Sequence, residues 1–321
     1  MNLKDKKILV TGATGFIGSH LVDKLLLEGA DITIIKRPAS STRNIAHILN
    51  RLKVIPYDLN EYEEIKKALQ QLQPQIVFHL AAHVDVSRDI PITNFIETDL
   101  KNTIALINAL DGNYEIFVNS GTCEEYGKNS VPFKEDQAPN PVSPYSATKV
   151  AITHYLEMLH KTKGLPITTL RPFLTYGPRQ IPKMLIPDLI IKGLTNQSFR
   201  MTKGEQTREF NYIDDIIDGY ILAAKKQSTI GEIVNIGNGE EITISEVVDK
   251  VLDLMNNPII PDKSLSYREG ETMHFYCDNK KAKDLLGWKR KTSLEEGLRK
   301  TINWYKEAFN SGALKQWMVT S

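Results

Sequence analysis

Along the first half of the chain, short apolar runs alternate with longer stretches in which apolar residues return every three or four positions. "KKILVTG" reads as a buried strand, and from Phe16 the positions Ile17, Leu21, Leu25 and Leu26 fall on one helical face. "DITIIKR" and "VIPYD" come next as strands, and "EYEEIKKALQQL" as a helix. "QIVFHLAA" is a strand, "PITNFIETDLKNTIALINAL" a long helix and "EIFVNSG" a strand. "SPYSATKVAITHYLEMLHKT" is a further helix and "PITTLRPF" a further strand. Apolar strands separated by amphipathic helices predict an α/β fold, a doubly wound parallel sheet covered on both faces. Beyond about residue 173 the rhythm loosens: helical pieces such as "IPDLIIKGL" and "ISEVVDKVLDLM" mix with short extended segments. No repeat or low-complexity linker separates the halves, so the second is expected to be a smaller domain built onto the first.

The remaining bulk properties mainly exclude. With 321 residues and 41% hydrophobic content the chain can bury a sizeable core. Forty basic residues against thirty-nine acidic ones, in no like-charged block, offer no surface for nucleic acid. Cys123 and Cys277 lie far apart, which argues against a disulfide framework or a zinc site and suits a reducing compartment. "MNLKDKKILV" has no signal-peptide core, and no apolar run approaches ~20 residues, so a cytoplasmic protein without a membrane span is expected. His79, His83, His154, His160 and His274 make no metal-ligand spacing. No Gly-x-Ser-x-Gly elbow is present, so a hydrolase triad is not indicated.

"TGATGFIG" sets Gly12, Gly15 and Gly18 between the first strand and the first helix. Glycines there allow a tight turn, close approach of backbone to a pyrophosphate, and close packing of helix on strand. The helix N-terminus adds amide donors and a favourable dipole. Because the motif sits in the required strand–turn–helix context, it predicts a dinucleotide site. At the end of the second strand, where an acidic residue would bind the adenosine ribose, stand Lys36 and Arg37, with Ser40, Ser41 and Arg43 behind them. Two cations and hydroxyls suit a 2′-phosphate, so NADP(H) is favoured over NAD(H), against the competing account of a solvated basic loop. Asp58 ends the third strand, where it contacts the adenine or simply makes a turn.

"PYSATK" puts Tyr145 and Lys149 four apart at the start of a helix, on one face. A phenol with a pKa near ~10 is a poor base at neutral pH. A neighbouring ammonium and a positive nicotinamide ring favour the phenolate, which lets Tyr145 shuttle a proton to or from a substrate hydroxyl. Thr122 supplies a hydroxyl at the end of the preceding strand.

These motifs together resemble the extended short-chain dehydrogenase/reductases, in particular the nucleotide-sugar epimerase/dehydratase family. The resemblance runs from "TGATGFIGSHL" through "DL" at 58–59, "HLAA" at 79–82, "SPYSATK", "LRPF", "YGP" and "TREFNYIDD". It ends with "NIGNG", "REGE" and "LGW". It implies a seven-stranded Rossmann domain, residues 1–172 plus about 210–237. About 173–209 plus 238–321 would then grip a nucleoside-diphosphate sugar. It further implies that Thr122, Tyr145 and Lys149 oxidise or reduce a sugar carbon, usually C4. Phe16, Ile17, Asp58, Leu59, Leu80, Ala81, Ala82 and Pro172 would join the three glycines, Lys36, Arg37, Tyr145 and Lys149 around the cofactor. Arg208 and Arg268 match positions that contact the substrate diphosphate, as an arginine fork suits phosphate. A homodimer through helices 91–111 and 144–163 is also implied. Two positions depart from the pattern: Leu174 and Asp99 stand where many members have asparagine.

"NSGTCEEYG" carries the choice of reaction. In this family the positions after the hydroxyl residue decide the fate of the sugar once it is oxidised at C4. With C4 a ketone, the C5 proton is acidic, and a carboxylate at Glu124 can remove it, as in 4,6-dehydratases. Cys123 stands where those enzymes have an Asp or Ser, beside the departing C6 hydroxyl. A thiol with a reference pKa of ~8.5 is a weaker acid than a carboxyl, and a small buried packing residue is its other reading. Glu125 is expected to point elsewhere. Net reduction of a 4-keto, often 6-deoxy, sugar by NADPH leads on the strength of Lys36 and Arg37, with 4,6-dehydration and 4-epimerisation behind it. A protein of this fold that only senses the dinucleotide or scaffolds partners is the remote alternative.

Overall fold

The first strand, β1 (Lys7–Thr11), is enclosed from Ile8 to Thr11. The computed structural model describes residues 2–84, 87, 89–257, 259–268 and 270–314. Five more strands form as the apolar runs predict: β2 (Asp31–Ile35), β3 (Lys53–Ile55), β4 (Ile76–His79), β5 (Ile116–Ser120) and β6 (Ile167–Pro172). β3 stops at Ile55, short of the expected "VIPYD", because Pro56 has no N–H for the ladder. Three two-residue strands come next, β7 (Thr175–Tyr176), β8 (Thr207–Arg208) and β9 (Asn211–Tyr212), then β10 (Ile233–Ile236) and β11 (Ile242–Thr243). Seven of these form one sheet in the order β10-β6-β5-β4-β1-β2-β3, with every pairing parallel. This is a Rossmann sheet. Its strand order reverses between β1 and β4, which opens a crevice at their carboxyl ends.

Helices cover both faces. On one, α1 (Phe16–Leu27) packs against α7 (Ile213–Lys225), burying Leu21, Leu25, Ile213 and Ile217. On the other, α2 (Tyr62–Leu72), α4 (Lys101–Leu110) and α5 (Pro144–Lys163) bury Leu69, Leu106, Ile107, Ile152 and Leu156. Beyond the sheet, α6 (Leu185–Leu194), α8 (Ile244–Met255) and α9 (Leu294–Asn310) pack on one another. A separate aromatic cluster of Tyr126, Phe133, Phe173 and Phe275 encloses Cys123 and Cys277. Among the described residues no helix is long and apolar enough to cross a membrane.

The long helix expected over 91–110 is interrupted. A short α3 (Ile92–Phe95) runs into a wide, π-type turn at Ile96–Leu100 before α4 resumes the normal pitch. The turn places Asp99 inward, 1% exposed, with Oδ1 accepting from the His83 amide at 2.9 Å. Thr103 Oγ1 donates to the Asp99 carbonyl at 2.8 Å, taking up one of the groups the wide turn leaves unbonded.

Candidate active site

Two local designs fix the functional side chains. Ser143 caps α5: its Oγ accepts the Ser146 amide at 3.1 Å, Ser146 Oγ accepts the Ser143 amide at 3.0 Å, and Pro144 supplies the first helical residue. Tyr145 and Lys149 therefore emerge at the first turns of a helix whose start is tightly determined, and both are buried at 5% exposure. Thr122 does the same for the turn Cys123–Glu125. Its Oγ1 accepts the Glu124 amide at 3.2 Å, and its own amide donates to Glu125 Oε1 at 2.9 Å.

The three groups nominated from the sequence lie together. Tyr145 and Thr122 share a hydrogen bond between side chains. Lys149 Nζ donates to the Ser120 carbonyl at the end of β5, at 2.9 Å. Burial pushes the Tyr145 phenol up and the Thr122 bond opposes it, while Cys123, Asp99 and Glu124 push it further up. Burial pulls the Lys149 ammonium down, and Asp99, then Glu125, resist.

The neighbouring carboxyls of the "EE" pair have opposite situations. Glu125 is fully buried and turned away from the crevice, as expected. Its Oε2 accepts two bonds from Arg171, 2.9 Å from Nε and 2.7 Å from Nη2. Arg171 also donates to Tyr126 Oη at 2.9 Å, and Tyr126 passes its proton to Asn235 Oδ1 at 2.7 Å. Burial works against the Arg171 charge, yet the Glu125 carboxylate holds its pKa above the ordinary value. Among the described residues Glu124 has no such partner. Burial raises its carboxyl, Arg208 lowers it and Glu271 raises it again. It thus lies within electrostatic reach of both Tyr145 and the Arg208–Glu271 pair. Cys123 is packed in the aromatic cluster, and burial, with Glu124 and Glu209, keeps its thiol well above the usual range.

The crevice fits a dinucleotide. At Gly12, with φ +71°, a Cβ would stand 2.6 Å from the Leu80 carbonyl carbon, and at Gly18 only 2.1 Å from the Gly12 oxygen. Gly15 caps α1 without a side-chain cap bond, and the first turn, with the amides of Phe16 and Ile17, carries no acidic residue. Leu80 and Ala81 continue from β4 against this loop: the Ala81 amide donates to Thr11 Oγ1 at 3.2 Å. Ala82 extends that segment, Leu59 is buried behind Asp58, and Pro172 ends β6. At the adenosine end, Lys36 Nζ is turned onto the carbonyls of Arg37 and Pro38, at 2.8 and 3.1 Å. Arg37 is exposed, 4.0 Å from Asp58. Asp58 Oδ1 accepts the Asn60 amide at 3.2 Å, the geometry of a turn residue.

Arg208 and Arg268 differ. Arg208 lies over the Phe275 ring and pairs with Glu271 at 2.5 Å. It also donates to the Thr207 and Thr272 carbonyls at 2.7 and 2.9 Å. Arg268 is exposed, and its carbonyl accepts the Glu271 amide at 3.0 Å. Glu269 of the same motif lies outside the described residues. Leu174 is 41% exposed. Among the described residues no group of His, Cys, Asp and Glu could hold a metal ion.

Sequence reasoning missed His79, which is 3% exposed. The Ala81 amide donates to Thr11 Oγ1, which lies 2.8 Å from His79 Nδ1, and His79 Nε2 lies 2.9 Å from Thr103 Oγ1. Since Thr103 gives its proton to the Asp99 carbonyl, His79 must donate from Nε2 and accept at Nδ1. Burial, and then Lys149, push the imidazole down to about 3, so it is neutral. The glycine loop and the π-type turn are thereby joined through one neutral ring.

A seven-stranded parallel sheet with this glycine crevice and an adjoining Thr–Tyr–Lys set defines an extended short-chain dehydrogenase/reductase. The chain belongs to the NAD-dependent nucleotide-sugar epimerase/dehydratases of that class: residues 9–301 match the family model described as GDP-mannose 4,6 dehydratase. It is 31% identical over 357 residues to dTDP-glucose 4,6-dehydratase of Salmonella typhimurium, spanning 97% of this chain and 98% of that one. To UDP-glucose 4-epimerase of Mycolicibacterium smegmatis it is 29% identical over 313 residues, 94% and 98% of the two chains. The structure of UDP-glucuronic acid 4-epimerase from Bacillus cereus, in complex with UDP-glucuronic acid and NAD, superimposes with a TM-score of 0.83. The two are 32% identical, and the match covers 94% of this chain and 99% of that one.

Proposed function

We propose that the protein is a 4,6-dehydratase of a nucleoside-diphosphate hexose, with a dinucleotide that is retained and regenerated in each turnover. The observation that carries this reading is Glu124, a half-buried carboxyl with no ion-pair partner among the described residues, within electrostatic reach of Tyr145 and of Arg208. When bound, the dinucleotide takes a hydride from C4 of the sugar and returns it at C6. Tyr145 accepts the C4 hydroxyl proton, with Thr122 holding that hydroxyl and Lys149 favouring the phenolate. Glu124 removes the C5 proton, now acidified by the C4 ketone. A carboxyl whose pKa burial has raised holds a proton well enough to pass it on, so Glu124 delivers it to the C6 hydroxyl, which leaves as water. Tyr145 then releases its proton to solvent. Glu124, left as carboxylate by the elimination, takes a proton from solvent and delivers it to C5 as the hydride arrives at C6, and the product is a 4-keto-6-deoxy sugar. Cys123, neutral in its aromatic setting, serves packing; as the acid for C6 it is the alternative.

Arg208 and Arg268 are taken as the contacts to the diphosphate. The sugar unit is assigned to about 173–209 and 238–321. NADP remains the favoured dinucleotide on the exposed Arg37 guanidinium, although the Bacillus cereus neighbour holds NAD. Exposed Ile92 and Met158, on the helices expected to dimerise, support a homodimer. Net reduction, the leading expectation from Lys36 and Arg37, loses its lead: the Lys36 ammonium is engaged by its own main chain, and the three relatives are epimerases and a dehydratase.

The test is turnover of nucleoside-diphosphate hexoses in heavy water without added dinucleotide. The proposal expects a product lighter by one water and carrying one solvent deuteron at C5, both lost in Glu124→Gln. An isomer of unchanged mass without solvent deuterium, still formed by Glu124→Gln, would instead establish a 4-epimerase.

A further inference from the structure

Asp99 is a buried carboxylate that the reaction as derived does not use. Its Oδ1 accepts from the His83 amide at 2.9 Å and from Thr98 Oγ1 at 2.9 Å. Its Oδ2 is buried and has no hydrogen-bond partner among the described residues. A carboxylate oxygen left bare in a dry setting costs free energy unless a charge nearby compensates it. The π-type turn carrying Asp99 packs on α5, the helix of Tyr145 and Lys149, and the preceding Phe95 ring lies 6.1 Å from the Tyr145 ring.

We propose that Asp99 is a positioning residue whose carboxylate is the counter-charge of the proton-transfer pair, keeping Lys149 an ammonium and biasing Tyr145 toward the phenol. The inference rests on the reading of Tyr145 and Lys149 as that pair. Around Lys149 stand the Ser120 carbonyl on β5, neutral His79 on β4, Asp99 and Glu125. Glu125 is already matched by the doubly bonded Arg171, so Asp99 is the carboxylate left to balance the ammonium. Around Tyr145 stand the Thr122 hydroxyl, the Cys123 thiol, Glu124 and Asp99. Cys123 is neutral and Glu124 gains and loses its proton during turnover, so the carboxyl there that the reaction leaves untouched is Asp99. Asparagine, expected at this place from the resemblance, would fill the same space without the charge. The chain has therefore tuned the pair toward the half-reaction in which Tyr145 takes up the proton.

The test compares the holoenzyme with Asp99→Asn over pH. Removing the charge lowers the affinity of both groups for protons, so both the acid and the alkaline limb of kcat move to lower pH by about one unit. A purely structural role would lower the plateau and leave both limbs in place, which overturns the proposal. Tyr145 ionisation is also read without substrate, as the tyrosinate absorbance lost on Tyr145→Phe in each background. It is expected at lower pH in Asp99→Asn, and an unmoved transition overturns the proposal. Failure of the wild-type protein to turn over any nucleotide hexose overturns the functional reading alone, since this absorbance comparison still decides the role of Asp99. Asp99→Ser removes the same charge and takes the place of the amide if that variant does not fold.

Discussion

The two ends of the crevice use the same kinds of charge under opposite conditions. At the adenosine end Arg37 and Asp58 stand 4.0 Å apart in solvent, and Lys36 is occupied by main-chain carbonyls. At the sugar end Glu125 and Arg171 are fully enclosed, and Tyr145, Lys149 and Asp99 are buried nearby. Exposed pairs are worth roughly 0 to 1 kcal/mol, whereas stripping a partner from a buried pair costs about 3 to 5. Cofactor choice is therefore adjustable by small increments, while the chemistry depends on a few charges that tolerate no loss.

The contrast is sharpest at Tyr145. Tyr145→Phe should lower turnover by roughly a thousandfold while leaving most dinucleotide retention intact, because it removes the proton carrier and only one of many groups expected around the cofactor. Rates and released dinucleotide are measured on the same preparation, and turnover within tenfold of wild type would break the assignment. Arg171→Met should destabilise the fold by about 3 to 5 kcal/mol in urea unfolding, by leaving Glu125 charged and alone. Arg171→Met combined with Glu125→Leu should recover much of that loss.

His79 offers a middle-sized effect with a defined sign. Its folded pKa lies near 3, below that of the unfolded chain. The unfolded state then binds the extra proton, so His79 destabilises the fold progressively as pH falls below about 6.5. His79→Gln can keep both hydrogen bonds without titrating. Between pH 6 and 5 wild type should lose about 1 kcal/mol more stability than the variant, seen by urea unfolding at each pH. His20, also pushed down, to about 4, mainly by burial, is common to both chains and cancels. The smallest effect is expected at the exposed end: Arg37→Ala should weaken NADPH binding three- to tenfold and NADH hardly at all, by calorimetry.

Much of this molecule is legible in the order of its residues. The glycine loop, the strands that flank it and the Tyr145–Lys149 spacing are local patterns, and local geometry obeys them. The features that escape such reading depend on contacts between distant segments. Glu125 and Arg171 are 46 positions apart, so their pairing leaves no spacing to detect. Helix α7 is hard to read because Ile213, Ile216, Ile217, Tyr220, Ile221, Ala223 and Ala224 bury most of its circumference, leaving only the narrow polar stripe of Asp214, Asp218 and Lys225. The wide turn at Ile96–Leu100 is invisible because one extra residue per turn barely disturbs an apolar period. Asp99 stands out in the sequence as a departure, but its bare Oδ2 exists only in the folded chain.

The central claim is that the hydride removed at C4 stays within one active-site cycle while Glu124 handles the proton at C5. It is tested most directly with a nucleoside-diphosphate hexose deuterated at C4, turned over in ordinary water with excess unlabelled NADP and NAD. The account predicts that the deuterium is found at C6 of the product, with none in the free dinucleotide pool. Deuterium appearing in that pool, or product still labelled at C4, would contradict it.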